Sequence, residues 1–162
     1  MKKITLAYVF IVNSICFILY LGNLFLKEPE LNDIALILIS LLSVICYLCI
    51  QSNRIVKASY ILLCVIYFLQ SFSILISNLT WKFIIGTDLS FYLIRYGDLT
   101  TKLDFKVFNL YFSLNTISNG ENWGIGLNII HIIVFYLLCK IIKSQVANQV
   151  TSHNSYYNGF GQ

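Results

Sequence analysis

The sequence predicts an all-α membrane protein: a four-helix transmembrane bundle with a small, aromatic-rich cap on its outer side, between helices 3 and 4. Three observations carry this prediction. Hydrophobic residues make up 58% of the 162 and charged residues 11%, with a mean hydropathy of +0.77, whereas a soluble domain averages about 45–50% and about 25%. Four stretches approach the roughly 20 apolar residues needed to span a hydrocarbon core. A chain of 18.6 kDa cannot hide so much apolar side chain from water, because small proteins keep much of their surface wet. The same arithmetic excludes a disordered chain, a disulfide-rich scaffold and most nucleic-acid-binding modules.

The first expected span covers residues 4–26, between Lys2-Lys3 and Lys27-Glu28. It is longer than the apolar core of a secretory signal, and Leu19-Tyr20-Leu21 puts large residues where a cleavage site needs small ones. A lipoprotein reading around Cys16 fails because Ile15 precedes it. This span is therefore expected to be retained. The second covers 33–50, with Pro29 positioned to start it. The third covers 55–77, joined to the second by the short turn Gln51-Ser52-Asn53-Arg54, and the fourth covers 124–142. Backbone groups in lipid must be satisfied within each segment, which argues for helices. Residues 1–143 are thus expected to form one four-span domain. Residues 144–162, free of Lys, Arg, Asp and Glu, are expected to form a mobile cytoplasmic tail.

Charge sets the expected orientation. With the N-terminus inside, the inner segments hold Lys2, Lys3, Arg54, Lys57, Lys140 and Lys143 and no acid, while all seven acidic residues lie outside. Both termini are then cytoplasmic, in what reads as a bacterial inner membrane. The net charge of +4 is a membrane asymmetry and calls for no nucleic acid.

Between spans 3 and 4, residues 78–123 far exceed a usual helix–helix connection. Thr87-Asp88, then Leu89 to Tyr96 and Gly97, read as a capped short helix with a glycine stop. Leu103, Phe105 and Val107 alternate with polar residues, and the apolar phase then shifts to Phe108, Leu110, Phe112 and Leu114. That shift reads as a bulged strand or hairpin, with an interfacial helix as the alternative. Asn119-Gly120 marks a turn. Trp81 and Trp123 fit an interfacial aromatic belt, and the other rings fit either that belt or a partner-binding cap formed by Phe91, Tyr92, Tyr96, Phe105, Phe108, Tyr111 and Phe112.

Inside the spans, Asn13, Ser43, Gln70 and His131 reach similar depth, one per helix, with Asn128 one turn from His131. Lipid penalises such groups unless they face the bundle interior. They are candidates for a midplane polar site, or alternatively for interhelical hydrogen-bonding glue. No metal-ligand spacing, nucleotide loop or hydrolase motif occurs. Neither a cofactor, a metal nor a catalytic residue is therefore expected. The triplet Asn78-Leu79-Thr80 matches a glycosylation acceptor at the membrane edge.

Cys46-Tyr47-Leu48-Cys49 is a C-x-x-C pair with Arg54 shortly after it. In this it resembles the four-helix membrane enzymes that reoxidise thiol oxidases with quinone, which implies a redox role for Cys46 and Cys49. The resemblance departs on two points. The pair falls at the inner end of its span, and residues 78–123 hold no second pair, while Cys16, Cys64 and Cys139 stand singly. In size and span count the chain also resembles bacteriocin-type immunity proteins, which implies a non-enzymatic role. The leading expectation is a small inner-membrane protein that binds another membrane component, with the lipid bilayer and a membrane protein (or a second copy) as partners. The alternatives are a small transporter or channel subunit using the midplane polar site, and a thiol oxidoreductase.

Overall fold

The computed structural model describes residues 2–26, 28, 30–76, 79–115 and 123–158, except for the side chains of residues 96, 115 and 146–158. Pro29, Asn78, the Asn119-Gly120 turn and the Tyr96 side chain, all singled out from the sequence, lie outside the described residues. The elements are α1 (Lys2–Asn23), α2 (Leu31–Gln51), α3 (Val56–Gln70), β1 (Phe72–Ile76), β2 (Leu79–Tyr96), β3 (Asp98–Asn115), β4 (Trp123–Asn128) and α4 (Ile129–Asn158).

The fold is mixed α/β, which corrects the all-α bundle. Four helices are present, but a four-stranded antiparallel sheet accompanies them. Among the described residues only α1 and α2 are long and apolar enough to cross a membrane. At 1.5 Å per residue the 22 residues of α1 reach about 33 Å, and the 15 of α3 about 22 Å. The expected third span is helical only to Gln70, and its last residues are β1. The expected fourth span opens as β4 and becomes helical at Ile129. The helical backbone of α4 continues to Asn158, through most of the segment expected as a tail. The likeness to immunity proteins rested on size and a count of four spans, and without the four-span bundle it is not supported.

Both surprises have a physical cause. A short apolar run gives the same hydropathy as strand or helix, and periodicity alone cannot separate the two. In Trp123-Gly124-Ile125-Gly126-Leu127-Asn128 the two glycines are poor helix formers, but they let strands approach closely. The segment 89–96, expected as a short helix, is the second half of β2, because β3 pairs along its whole length.

The strand expectation for 103–114 holds, and so does its bulge. Gly86 pairs with Asn109 and Asp88 with Lys106, so Thr87 stands opposite both Val107 and Phe108, where the apolar phase changes. Gly86 bends β2 at φ +114°. A Cβ there would lie 2.7 Å from Val12 Cγ1 and 2.8 Å from the Tyr8 hydroxyl, so only glycine lets α1 approach so closely.

The bend allows β2 to be used twice. Its first residues pair with β1 (Ser73 opposite Lys82), β1 pairs with β4 (Ser73 opposite Gly126), and β4 pairs with the last residues of β2 (Gly126 opposite Tyr92). The strands therefore close into a small ring, with β3 following β2 along its free side.

The outward side of the first half of β2, with the part of β3 paired to it, packs on the helices. Phe83, Ile85, Leu110 and Phe112 join Leu6, Val9, Tyr60, Leu63, Tyr67 and Leu138 in one core. The hydroxyl of Tyr20 donates to the Leu110 carbonyl oxygen at 3.4 Å, and that of Tyr8 accepts from Thr87 N at 3.2 Å. The sheet thus runs alongside α1 between Tyr8 and Tyr20, which corrects the picture of a separate cap above the helices. Trp81 belongs to β2 and donates from Nε1 to the Leu69 carbonyl oxygen at the end of α3.

Candidate functional site

Strand alternation sorts the ring's side chains into two sets. Asp88, Ser90 and Tyr92 of β2 share one face with Gly126 and Asn128 of β4 and Ser73 of β1, and this face turns inward. Leu89, Phe91, Leu93, Ile125, Leu127, Phe72 and Ile74 take the other face.

At the base of the inner face lies a wholly buried carboxylate, Asp88, with an exposure of 0%. Its Oδ1 accepts from the Ser90 hydroxyl and from Asn128 Nδ2 (3.0 Å), and its Oδ2 accepts from Asn109 Nδ2 at 2.8 Å. No described Lys or Arg pairs with it. Three neutral donors to its two oxygens offset the cost of burying the group. Asn128 also serves the helix that follows it, since its Oδ1 accepts from His131 N at 3.2 Å and caps α4. The carboxylate therefore sits by the positive end of the α4 dipole.

Four of the five polar residues expected at midplane belong to one buried cluster, which touches this carboxylate through Asn128 and is otherwise joined through Tyr67 and the Ile85 backbone. Gln70 Oε1 accepts from Ile85 N at 3.0 Å, and His131 Nε2 lies 3.1 Å from the Ile85 carbonyl oxygen. Since a carbonyl only accepts, Nε2 carries the proton and Nδ1 the lone pair. The His131 ring stacks on Tyr67 at 5.6 Å, and Asn13 Nδ2 donates to the Val9 carbonyl at 2.7 Å and to the Tyr67 hydroxyl at 3.3 Å. Asn13, Gln70 and His131 each keep one buried polar atom with no partner among the described residues: Oδ1, Nε2 and Nδ1 respectively. Ser43 stands apart, donating to Ile39 O within its own helix.

The candidate cap residues disperse. Phe91 and Phe105 lie on the outer face, Tyr92 on the inner face, and Phe112 stacks edge-on with Trp81 and Phe83 in the core. Phe108 and Tyr111 are exposed on β3, with Tyr111 beside the Lys82 ammonium. Cys46 is buried and Cys49 half-buried on the last turns of α2, both as free thiols. Cys64 and Cys139, isolated in the sequence, meet across α3 and α4 with their sulfurs 3.7 Å apart. No group of three His, Cys, Asp or Glu side chains that could hold a metal ion occurs among the described residues.

Sequence reasoning missed Asp88. The available signal was the alternation Asp88-x-Ser90-x-Tyr92 in an otherwise apolar run, which the helix-cap reading of Thr87-Asp88 concealed. Compared with protein-family models, characterised proteins and solved structures, the chain matches none of them.

Proposed function

We propose that this chain is a non-enzymatic membrane protein in which α1 and α2 cross the bilayer as a hairpin and the strand ring binds another membrane protein through its outer face and free edge. The observation that carries the reading is β3. This strand of 18 residues pairs with β2 on one side and with no strand on the other among the described residues, where the Tyr20 hydroxyl reaches the Leu110 carbonyl. Its Leu103, Phe105 and Val107 are 65%, 61% and 74% exposed. Leu103, Phe91, Leu127 and Phe72 form one apolar row across all four strands. Contiguous apolar surface of this kind marks interaction sites. Lipid tails could cover the face, but they cannot satisfy the open N–H and C=O groups of an edge strand; an added strand can.

The test is photo-cross-linking from benzoylphenylalanine placed one position at a time along β3 of the full chain in its native membrane. Positions 103, 105 and 107 should yield one discrete protein adduct, and positions 102 and 106, on the opposite face, should not. Adducts to lipid alone from 103, 105 and 107 would overturn the reading.

The convergence of Asn13, Gln70, Asn128 and His131 favours a second reading, in which a polar site inside the molecule handles an ion or a proton. Asp88→Asn and His131→Gln would then abolish flux in proteoliposomes, and the absence of flux through the unaltered protein would dismiss it.

A further inference from the structure

The strand ring hangs between two helices. The chain enters it from α3, with only Ser71 before β1, and leaves it at Asn128 directly into α4. Contacts between these two arms continue from the sheet into the helices. Phe72 of β1 pairs with Leu127 of β4, and Asn128 N donates to the Ser71 carbonyl oxygen at 2.9 Å. Next along the helices, the Tyr67 ring stacks on His131 at 5.6 Å and Phe68 meets Phe135 at 5.5 Å. Further from the ring, Cys64 of α3 meets Cys139 of α4 with the sulfurs 3.7 Å apart.

The ladder and the rings of this series can only be made or lost, whereas two thiols can become covalent. Both cysteines are free. A disulfide requires the sulfurs to close by about 1.7 Å, to about 2.05 Å. Cys139 is half-buried and Cys64 buried, so an oxidant reaches Cys139 first. Hydrogen peroxide transfers one oxygen to the Cys139 sulfur and leaves as water, giving a sulfenic acid. The Cys64 sulfur then attacks that sulfur, the S–S bond forms and a second water departs. Both thiols are thereby oxidised and the peroxide is reduced to water. Two molecules of a small thiol reverse the change and leave as their own disulfide.

The covalent loop closed in this way runs from residue 64 to residue 139 and contains all four strands. Cross-linking a loop of such length acts mainly by restricting the opened states. The opening it restricts is the withdrawal of β4, which lies between β1 and the end of β2. Because β4 runs straight into α4, its withdrawal carries the start of α4 away from α3.

We propose that Cys64 and Cys139 form a redox clasp on the strand ring. As thiols they let α3 and α4 part and the ring open at β4, and as a disulfide they hold it shut. The clasp acts on the closure of the ring and stands apart from the partner surface on β3.

The experiment uses the full chain in lipid nanodiscs carrying Cys16→Ser, Cys46→Ser and Cys49→Ser, with the other two cysteines kept. Hydrogen peroxide should remove both thiols with the loss of two hydrogens in mass, and peptide mapping should place one disulfide between residues 64 and 139. Glutathione should restore both thiols. Amide hydrogen exchange over residues 124–127 should be about tenfold slower, or more, in the oxidised protein than in the reduced one. Exchange over α2, which lies outside the closed loop, should not change. Adding Cys64→Ala should abolish the effect of peroxide on residues 124–127. Conversion of Cys139 to a sulfinic acid without a disulfide would overturn the proposal, and so would a disulfide that leaves exchange over 124–127 unchanged. Should the triple variant fail to fold, the unaltered chain decides by the same mapping and exchange.

Discussion

At the scale of single residues, Asp88 organises the centre of the molecule. One carboxylate accepts from three side chains on three strands, and one of those donors also caps α4. Removing it strands several buried donors at once, which costs more than one ordinary hydrogen bond is worth. Asp88→Ala should therefore destabilise the full chain by about 2–4 kcal/mol, and Asp88→Asn, which keeps one acceptor oxygen, by about half of that. Denaturant unfolding in detergent, followed by tryptophan fluorescence, reads both. A loss under about 0.5 kcal/mol for Asp88→Ala would contradict the role given to it. A polar group in an apolar run must find a partner, and on that ground hydropathy could show that Asn13, Gln70, Asn128 and His131 needed one. It could not show that the partner groups were a backbone amide and carbonyl of Ile85 and a carboxylate 40 residues away from Asn128.

At the scale of elements, α1 and α2 were legible because each is one uninterrupted apolar run. The bulge in β3 was legible because a strand's apolar phase changes when an extra residue enters. What escaped the sequence were β1 and β4, five and six residues long, each continuous in hydropathy with the helix beside it. Their strand character comes from pairing with each other and with β2, a contact between segments about 50 residues apart that no local window contains. The pairing shortens α3, and α4 then packs on it with Cys64 and Cys139 in contact. In a variant keeping only these two cysteines, copper-phenanthroline should oxidise them to an intrachain disulfide, seen as loss of both thiols to maleimide. Persistent labelling of both thiols would show that α3 and α4 do not meet as described.

At the scale of the whole molecule, charge is segregated by position along the helices. Lys2 shares one surface hollow with Lys140 and another with Lys3 and Asn53, so the N-terminus, the α2–α3 turn and the Lys140 turn of α4 gather at one basic end. Glu30 and Asp33 sit at the opposite end, where Glu30 N donates to Asp33 Oδ2 at 3.3 Å at the start of α2. If α1 and α2 cross the bilayer, the basic end faces the cytoplasm. In a variant lacking its native cysteines, a cysteine at Glu28 should react with impermeant maleimide on intact cells, and one at Asn53 only after lysis. Equal reaction at both would rule out this orientation.

The closure of the ring also bears on how the chain is made. β1 has one neighbour nearby in β2, but its other neighbour, β4, follows only after the entire β2–β3 hairpin, and β4 runs into α4 without an intervening residue. During synthesis the α1–α2 hairpin and the β2–β3 hairpin can each assemble from local contacts, which form early because their loop-closure cost is small. Until residue 128 has left the ribosome, β1 and the end of β2 must wait with open edges. Insertion of β4 then seals both edges and seats the first turn of α4 in one step, so this fold is completed from its C-terminal third.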